Sequence, residues 1–317
     1  MYIVRKRVKG RKYWYLVKSI RLPDSSVVKL EKIISKPGNI GTLGAMHAKF
    51  FEKAELNAHV RWALKRWKTS KTFTKEQIAK IEAMRLGYRK IVKTLGKNDL
   101  KDMLDRFTAN FTYESNAIEG NSMTLKDVAL VMFEGRAVPG KELREIYETR
   151  NSRPVVEQMF RRRFKVDHTG IIKMHKLLMH DIDDRLGYKK VPNYLLGRRV
   201  ETTPPERVKA EMDALLKWYE KAVGCTHPLE AAAMFHGRFE RIHPFADGNG
   251  RVGRFLINVI LVNNGLPPLI IRRTQRTAYF AVLDAFDGNY QDKLKKFMLE
   301  KFKETYKKFF EVYARYV

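Results

Sequence analysis

The segment His243-Pro244-Phe245-Ala246-Asp247-Gly248-Asn249-Gly250-Arg251-Val252-Gly253-Arg254 gathers a base, a carboxylate, three glycines and two arginines in one stretch. It reads as a loop that flows directly into an apolar helix. Gly248 and Gly250 flank Asn249 at the helix start, so backbone N–H groups face outward with no side chain before them, and such a start attracts phosphate. Arg251 and Arg254 stand three residues apart, which puts both guanidinium groups on one helical face where they can clamp neighbouring phosphates. Asp247 precedes the cradle and offers a hard carboxylate to a magnesium ion bridging phosphate oxygens. His243, held by Pro244 and anchored by Phe245, can take a proton from an incoming hydroxyl near neutral pH. Singly, each has an ordinary structural reading: a turn, a core histidine, a solvated arginine face. Together they describe one phosphoryl-transfer site.

These residues fit the signature His-Pro-Phe-x-Asp/Glu-Gly-Asn-Gly-Arg-x-x-Arg at every specified position, and the chain resembles the Fic (filamentation induced by cAMP) family. The likeness extends to Phe239-Glu240-Arg241-Ile242 before the signature, and to Arg276, Tyr279, Leu283 and Asp287-Gly288-Asn289-Tyr290 after it, covering roughly residues 105–300. It implies a mainly α, Fic-type helical bundle that uses ATP and Mg2+ to move AMP onto a Ser, Thr or Tyr hydroxyl of a protein. On this resemblance His243 is the base and Asp247 the metal ligand. Gly248, Asn249 and Gly250 form the anion hole, Arg251 and Arg254 the phosphate clamps, and Asn258 and Tyr279 line an adenine pocket.

Tyr113-Glu114-Ser115-Asn116-Ala117-Ile118-Glu119-Gly120-Asn121 resembles the family's inhibitory motif, Ser/Thr-x-x-x-Glu-Gly/Asn. The resemblance implies that Ser115, Glu119 and Gly120 form a brake, with Glu119 pairing to Arg254 and consuming donors that should hold the γ-phosphate. Leu186 to Gly197 resembles the flap, a short β-hairpin in which Val191, Asn193 and Tyr194 register a target's backbone by strand addition. Automodification and a homodimer are further expectations by analogy. Removal of AMP by the same site, or transfer of another nucleotide or phosphate group, stands as the alternative within the family.

The rest of the chain must position this segment. Tyr13 to Val17 and Val27 to Leu30 are rich in β-branched and aromatic residues, with Pro23-Asp24-Ser25-Ser26 as a turn, which predicts a β-rich N-terminal appendage over residues 1–45. Residues 46–317 read as an all-α domain, with the inhibitory helix near 105–120 and the signature loop and helix at 243–263. Thr124 caps one helix, Pro154 kinks another over 141–164, Pro204-Pro205 and His227-Pro228 start two more, and Gly265 to Pro268 ends the signature helix. A final amphipathic helix spans 293–316.

Net charge is +28, which attracts polyanions, but no recognition-helix signature accompanies it and a nucleic-acid-binding regulator is the lesser reading. No run approaches the length of a membrane span and Met1 to Arg7 lacks a secretory signal, so a cytoplasmic protein is expected. The single cysteine, Cys225, excludes an internal disulfide and reads as a buried filler. Gly135 to Lys141 has P-loop spacing, but Glu142 replaces the required Ser or Thr and no strand precedes it. His175 and His180 are five apart and lack the Glu of a zinc-protease motif, so they read as core or surface residues.

Overall fold

A computed structural model describes residues 1–193 and 202–316, with side chains through residue 314. Three antiparallel strands come first: β1 (Tyr2–Val8), β2 (Arg11–Arg21) and β3 (Val27–Ile34), in the order β1-β2-β3. Alternation sets the register. Trp14, Leu16 and Ile20 fall on one face of β2 and meet Leu30 and Ile34 from β3, and this face closes on Phe51 and Ala58 as a small core of its own.

Apart from an isolated antiparallel bridge between Tyr188 and Phe245, the regular structure after the sheet is helical among the described residues. Helices α1 (Ile40–Met46), α2 (Ala48–Arg66) and α3 (Lys75–Thr94) link the sheet to α4 (Lys97–Ile118), α5 (Leu125–Glu134) and α6 (Leu143–Phe160). Then come α7 (His168–Met179), α8 (Pro205–Cys225), α9 (Pro228–Ile242), α10 (Asn249–Asn263), α11 (Arg276–Asp287) and α12 (Gln291–Thr305). The sequence marks many of these ends. Thr124 and Asp127 form a reciprocal capping box on α5, Gly135 stops it in the left-handed conformation, and α8 and α9 each open on a proline in the first turn, where a missing N–H is harmless.

Helices α9 and α10 are the centre of the fold. Thirteen of fifteen residues are buried in each, so both are enclosed nearly all round, and α4, α6, α7, α8, α11 and α12 pack against one or the other. The Gly248 turn therefore sits at the start of a helix that cannot shift without disturbing the main core.

Three expectations change. The helix carrying the inhibitory motif begins at Lys97, not near 105, and Glu119 is its C-cap rather than a residue inside it. The last helix ends at Thr305 and continues as a π turn over Tyr306–Phe310 and a 3-10 segment over Glu311–Tyr316, where regular spacing gives way. Cys225 is exposed: it is the last residue of α8, where the chain turns outward, and its Sγ lies 3.5 Å from the Lys221 carbonyl. Among the described residues no helix is long and apolar enough to cross a membrane.

Candidate active site

The loop between α9 and α10 is built by its own side chains. His243 ends α9 in the left-handed region, at φ 51°, which turns the chain sharply outward. Asn249 then fastens the loop from inside: its Oδ1 accepts from the Phe245 N–H at 2.8 Å and its Nδ2 donates to the Phe245 carbonyl at 2.8 Å. The Asn249 side chain is therefore structural, and what it offers a ligand is its backbone N–H. Gly248, at φ 78°, is the N-cap of α10, and the first intrahelical bond runs from the Val252 N–H to the Gly248 carbonyl. The N–H groups of Asn249, Gly250 and Arg251 are left for an anion.

Below the loop lies His175, which the sequence leaves as a core or surface residue and the structure buries. The His175 ring stacks on Phe245 at 3.8 Å and 7°, and its Nε2 donates to the Asp247 carbonyl at 3.1 Å. Burial holds its pKa down to about 4, so the ring is neutral and carries its proton on Nε2. Tyr188 bridges to Phe245 by strand pairing, the Lys189 N–H donates to the Pro244 carbonyl at 2.8 Å, and Asn193 Nδ2 donates to the Phe245 carbonyl at 2.8 Å. Of the expected flap residues, Val191 is exposed, Asn193 is turned inward on the loop, and Tyr194 lies outside the described residues.

The two signature arginines are each 2% exposed and engage different partners. Arg254 Nε donates to Ser115 Oγ at 2.9 Å and its Nη2 to the Ser115 carbonyl at 2.9 Å, while Glu119 Oε1 lies 2.7 Å from the same Nη2. Burial alone would weaken the Arg254 charge; Glu119, with Tyr279 and Glu240 further off, more than restores it. Arg251 Nη2 reaches Met179 Sδ at 3.2 Å and Glu148 Oε1 at 3.7 Å. Neither Nη1 has a hydrogen-bond partner among the described residues, which leaves two buried donors beside the cradle.

Asp247 is engaged by Arg144 through a short side-chain contact, and its Oδ1 accepts from the Gly248 N–H at 2.5 Å. Burial would raise its pKa, but Arg144, Arg251 and the Gly248 amide together hold it below the usual carboxylate range. Arg144 also bonds Glu148, and Glu148 accepts from Asn121 Nδ2 at 2.9 Å, so α6 ties the cradle to the residue just past Gly120. Nothing in the sequence marked Arg144, Glu148 or His175 for this place, since they come from helices remote along the chain and share no spacing with the signature.

Asn258 is fully buried, with its amide clamped to Leu269 on both sides: Oδ1 accepts from the Leu269 N–H at 2.8 Å and Nδ2 donates to the Leu269 carbonyl at 2.9 Å. Tyr279 is 1% exposed and its hydroxyl meets His236 Nε2 at 2.7 Å. Both stand in the packed core rather than on open surface.

Fold and site together define an α-helical protein in which a glycine-capped helix start faces a carboxylate carried by a second helix. Residues 165–261 match the family model described as the Fic/DOC family. The protein adenylyltransferase Fic of Nematostella vectensis is 34% identical over 178 residues, 54% of this chain and 42% of that protein. The protein adenylyltransferase fic-1 of Caenorhabditis elegans is 29% identical over 180 residues, 55% of this chain and 35% of that one. The chain thus spans less than half the length of these curated relatives. Among solved structures, a Fic domain containing signaling protein from Bacteroides thetaiotaomicron superposes with a TM-score of 0.67 at 24% identity, over 74% of this chain and 96% of that one. A Fic family protein from Desulfovibrio desulfuricans gives 0.62 at 28% identity over 76% of each chain. Residues 165–261 are a Fic/DOC-family domain.

Proposed function

We propose that the protein transfers AMP from ATP to a Ser, Thr or Tyr hydroxyl of another protein, and that Glu119 restrains it. The observation that carries this reading is the cradle itself: three free N–H groups at a helix start, two buried arginines with unused Nη1 donors, and His243 at the loop's entrance. In the transfer, the target oxygen attacks the α-phosphorus, the bond to the bridging oxygen breaks, pyrophosphate departs, and His243 takes the hydroxyl proton. Such a displacement needs positioning and charge neutralisation more than covalent help, and the cradle and arginines supply both.

Magnesium would neutralise the departing phosphates. Among the described residues no group of three or more His, Cys, Asp or Glu could hold a metal alone, but magnesium borne by a triphosphate needs only one or two protein carboxylates. Asp247, beside the cradle and held ionised by its neighbours, fits that part once Arg144 yields it.

The Arg254 contacts support the brake. With Ser115 on one edge of the guanidinium and Glu119 on the other, the group that should hold the outer phosphate is occupied. A second reading, removal of AMP, is favoured by one observation: Glu119 Oε1 stands against Gly250, where it can orient a water toward a phosphate in the cradle. The experiment mixes wild type, Glu119→Gly and His243→Ala with labelled ATP, magnesium and a cell lysate. Labelling of a lysate protein by Glu119→Gly and none by His243→Ala is expected. If Glu119→Gly labels nothing and wild type instead strips label from premodified protein, removal is the activity.

A further inference from the structure

Away from the signature, a cleft of about 780 Å3 opens between the β2–β3 turn, α2, α3 and the end of α10. Its size is in the range of sites for small organic ligands. The floor holds Arg85 and His59, 4% and 1% exposed, with the indole of Trp67 beside them. None of the three Arg85 nitrogens forms a hydrogen bond among the described residues; buried Glu82, whose two oxygens likewise lack a hydrogen-bond partner there, stands 3.5 Å from Arg85 Nη2 and 4.0 Å from His59 Nδ1. Both His59 nitrogens and Trp67 Nε1 also have no hydrogen-bond partner among the described residues. A buried guanidinium without hydrogen bonds is costly, and Glu82 offsets its charge without satisfying its donors, which leaves them for an acceptor entering the cleft.

The walls have two further properties. Arg21, Arg66, Arg89, Lys93 and Arg162 line them, against one carboxylate, Asp24, which already accepts from Trp62 Nε1 at 2.8 Å and from Ser26. Trp62, Trp67 and Tyr88 supply flat apolar surface, and Arg85 lies over the Trp62 and Trp67 rings at 5.8 and 5.4 Å. The surrounding charge is concentrated too: residues 1–95 hold 24 Lys and Arg against 6 Asp and Glu, well above the remainder of the chain. A cleft left by poor packing alone would have apolar walls.

We propose that this cleft is a second binding site, separate from the cradle, for a small organic anion that joins a planar ring to a phosphate group. The phosphate takes the Arg85 donors with Arg66 and Lys93 above, and the ring lies against Trp62 and Trp67. Burial holds Arg85 and His59 below their ordinary pKa values; the Arg85 guanidinium stays charged, while a neutral His59 can donate one N–H without adding charge.

The test titrates the full chain, without magnesium, with 1-naphthyl phosphate, and follows quenching of tryptophan fluorescence. 1-Naphthol and inorganic phosphate serve as half-ligands. Saturable quenching is expected with naphthyl phosphate, at least tenfold weaker with either half, and weakened at least tenfold by Arg66→Glu with Lys93→Glu. Both substituted residues are exposed, so the variant is expected to fold, as circular dichroism would check. Arg85→Met removes the floor donors but strands Glu82, so it serves only as a supporting variant. Arg254→Ala, at the cradle, is expected to leave the titration unchanged. Equal affinity in the rim variant, loss of binding in Arg254→Ala, or equal binding of naphthol would each overturn the proposal. So would a short single-stranded DNA that displaces the probe at lower concentration than the probe itself binds, which would make the cleft part of a polyanion surface.

Discussion

Glu119 Oε1 lies 2.7 Å from Arg254 Nη2, and this ion pair joins the C-cap of α4 to the helix that begins at the cradle. The arginine is almost wholly buried and the glutamate partly open, so the carboxylate can leave toward solvent while the guanidinium cannot. The helix bearing Glu119 is itself anchored: Arg276 Nε donates to the Ile118 carbonyl at 2.8 Å, and Glu114 accepts from the Arg273 N–H at 2.7 Å. Movement of the side chain is thus less costly than movement of the helix.

Removing that side chain is expected to free Arg254 for a triphosphate. Glu119→Gly should tighten nucleotide binding and raise transfer by tenfold or more, about 1.4 kcal/mol for each tenfold, within the range of one charge-assisted contact. Glu119→Gln, which keeps a hydrogen-bonding group without the charge, should fall between. Calorimetry with ATP and magnesium on the three proteins checks the order; identical affinities would show that the ion pair does not compete with nucleotide.

The turn into α10 was legible in the sequence because its residues act through local backbone geometry, while the Glu119–Arg254 pair was expected only from the resemblance of the two short motifs. The left-handed turn at Gly248 and the pairing of Asn249 with Phe245 are settled within five residues. What could not be read is what arrives from afar. Arg144 on Asp247 and His175 beneath Phe245 depend on how α6 and α7 pack on α10, and no spacing within either helix announces it. The sheet was legible as a pattern, since alternating β-branched and aromatic residues need little context, while the start of α4 was missed because Gly96 gives no side-chain cap to mark it.

Arg144 guards Asp247. Its pair with Asp247 is half-exposed on the arginine side, and such pairs contribute only about 0–1 kcal/mol to folding, so Arg144→Met should unfold within a few degrees of wild type. In a Glu119→Gly background the same change should lower the magnesium concentration needed for half-maximal transfer, because Asp247 loses its competing cation. A titration of activity against magnesium measures this; a higher requirement would mean Arg144 assists the metal instead of opposing it.

His175 makes the loop sensitive to acid. Its pKa falls from 6.5 in the unfolded chain to about 4 in the fold, so the unfolded chain binds the proton more readily between those values. The stabilisation is complete above pH 6.5 and is lost progressively as pH falls toward 4, by roughly 3 kcal/mol at 1.4 kcal/mol per unit. Buried His59 and His227 are shifted in the same direction and add to the trend. Denaturant unfolding of wild type and His175→Phe across pH 4 to 7 tests it: the variant keeps the stack on Phe245 and should lose less stability on acidification, and parallel curves would remove His175 from the explanation.

Gly250 separates the two things a side chain at the cradle could block. An added Cβ would collide with Glu119 Oε1 and come within 3.0 Å of Arg254 Nη1. The backbone there is helical, so alanine itself is favoured over glycine by about 1 kcal/mol, and Gly250→Ala should fold. If the methyl only displaced Glu119, the variant would bind nucleotide as tightly as Glu119→Gly. The methyl also fills the space where backbone N–H groups must approach phosphate, so Gly250→Ala is expected to bind weakly. The double variant Gly250→Ala with Glu119→Gly should remain at least tenfold weaker than Glu119→Gly alone. Calorimetry on the pair decides it, since full recovery in the double variant would place the phosphates away from Gly250 and move the cradle elsewhere along the loop.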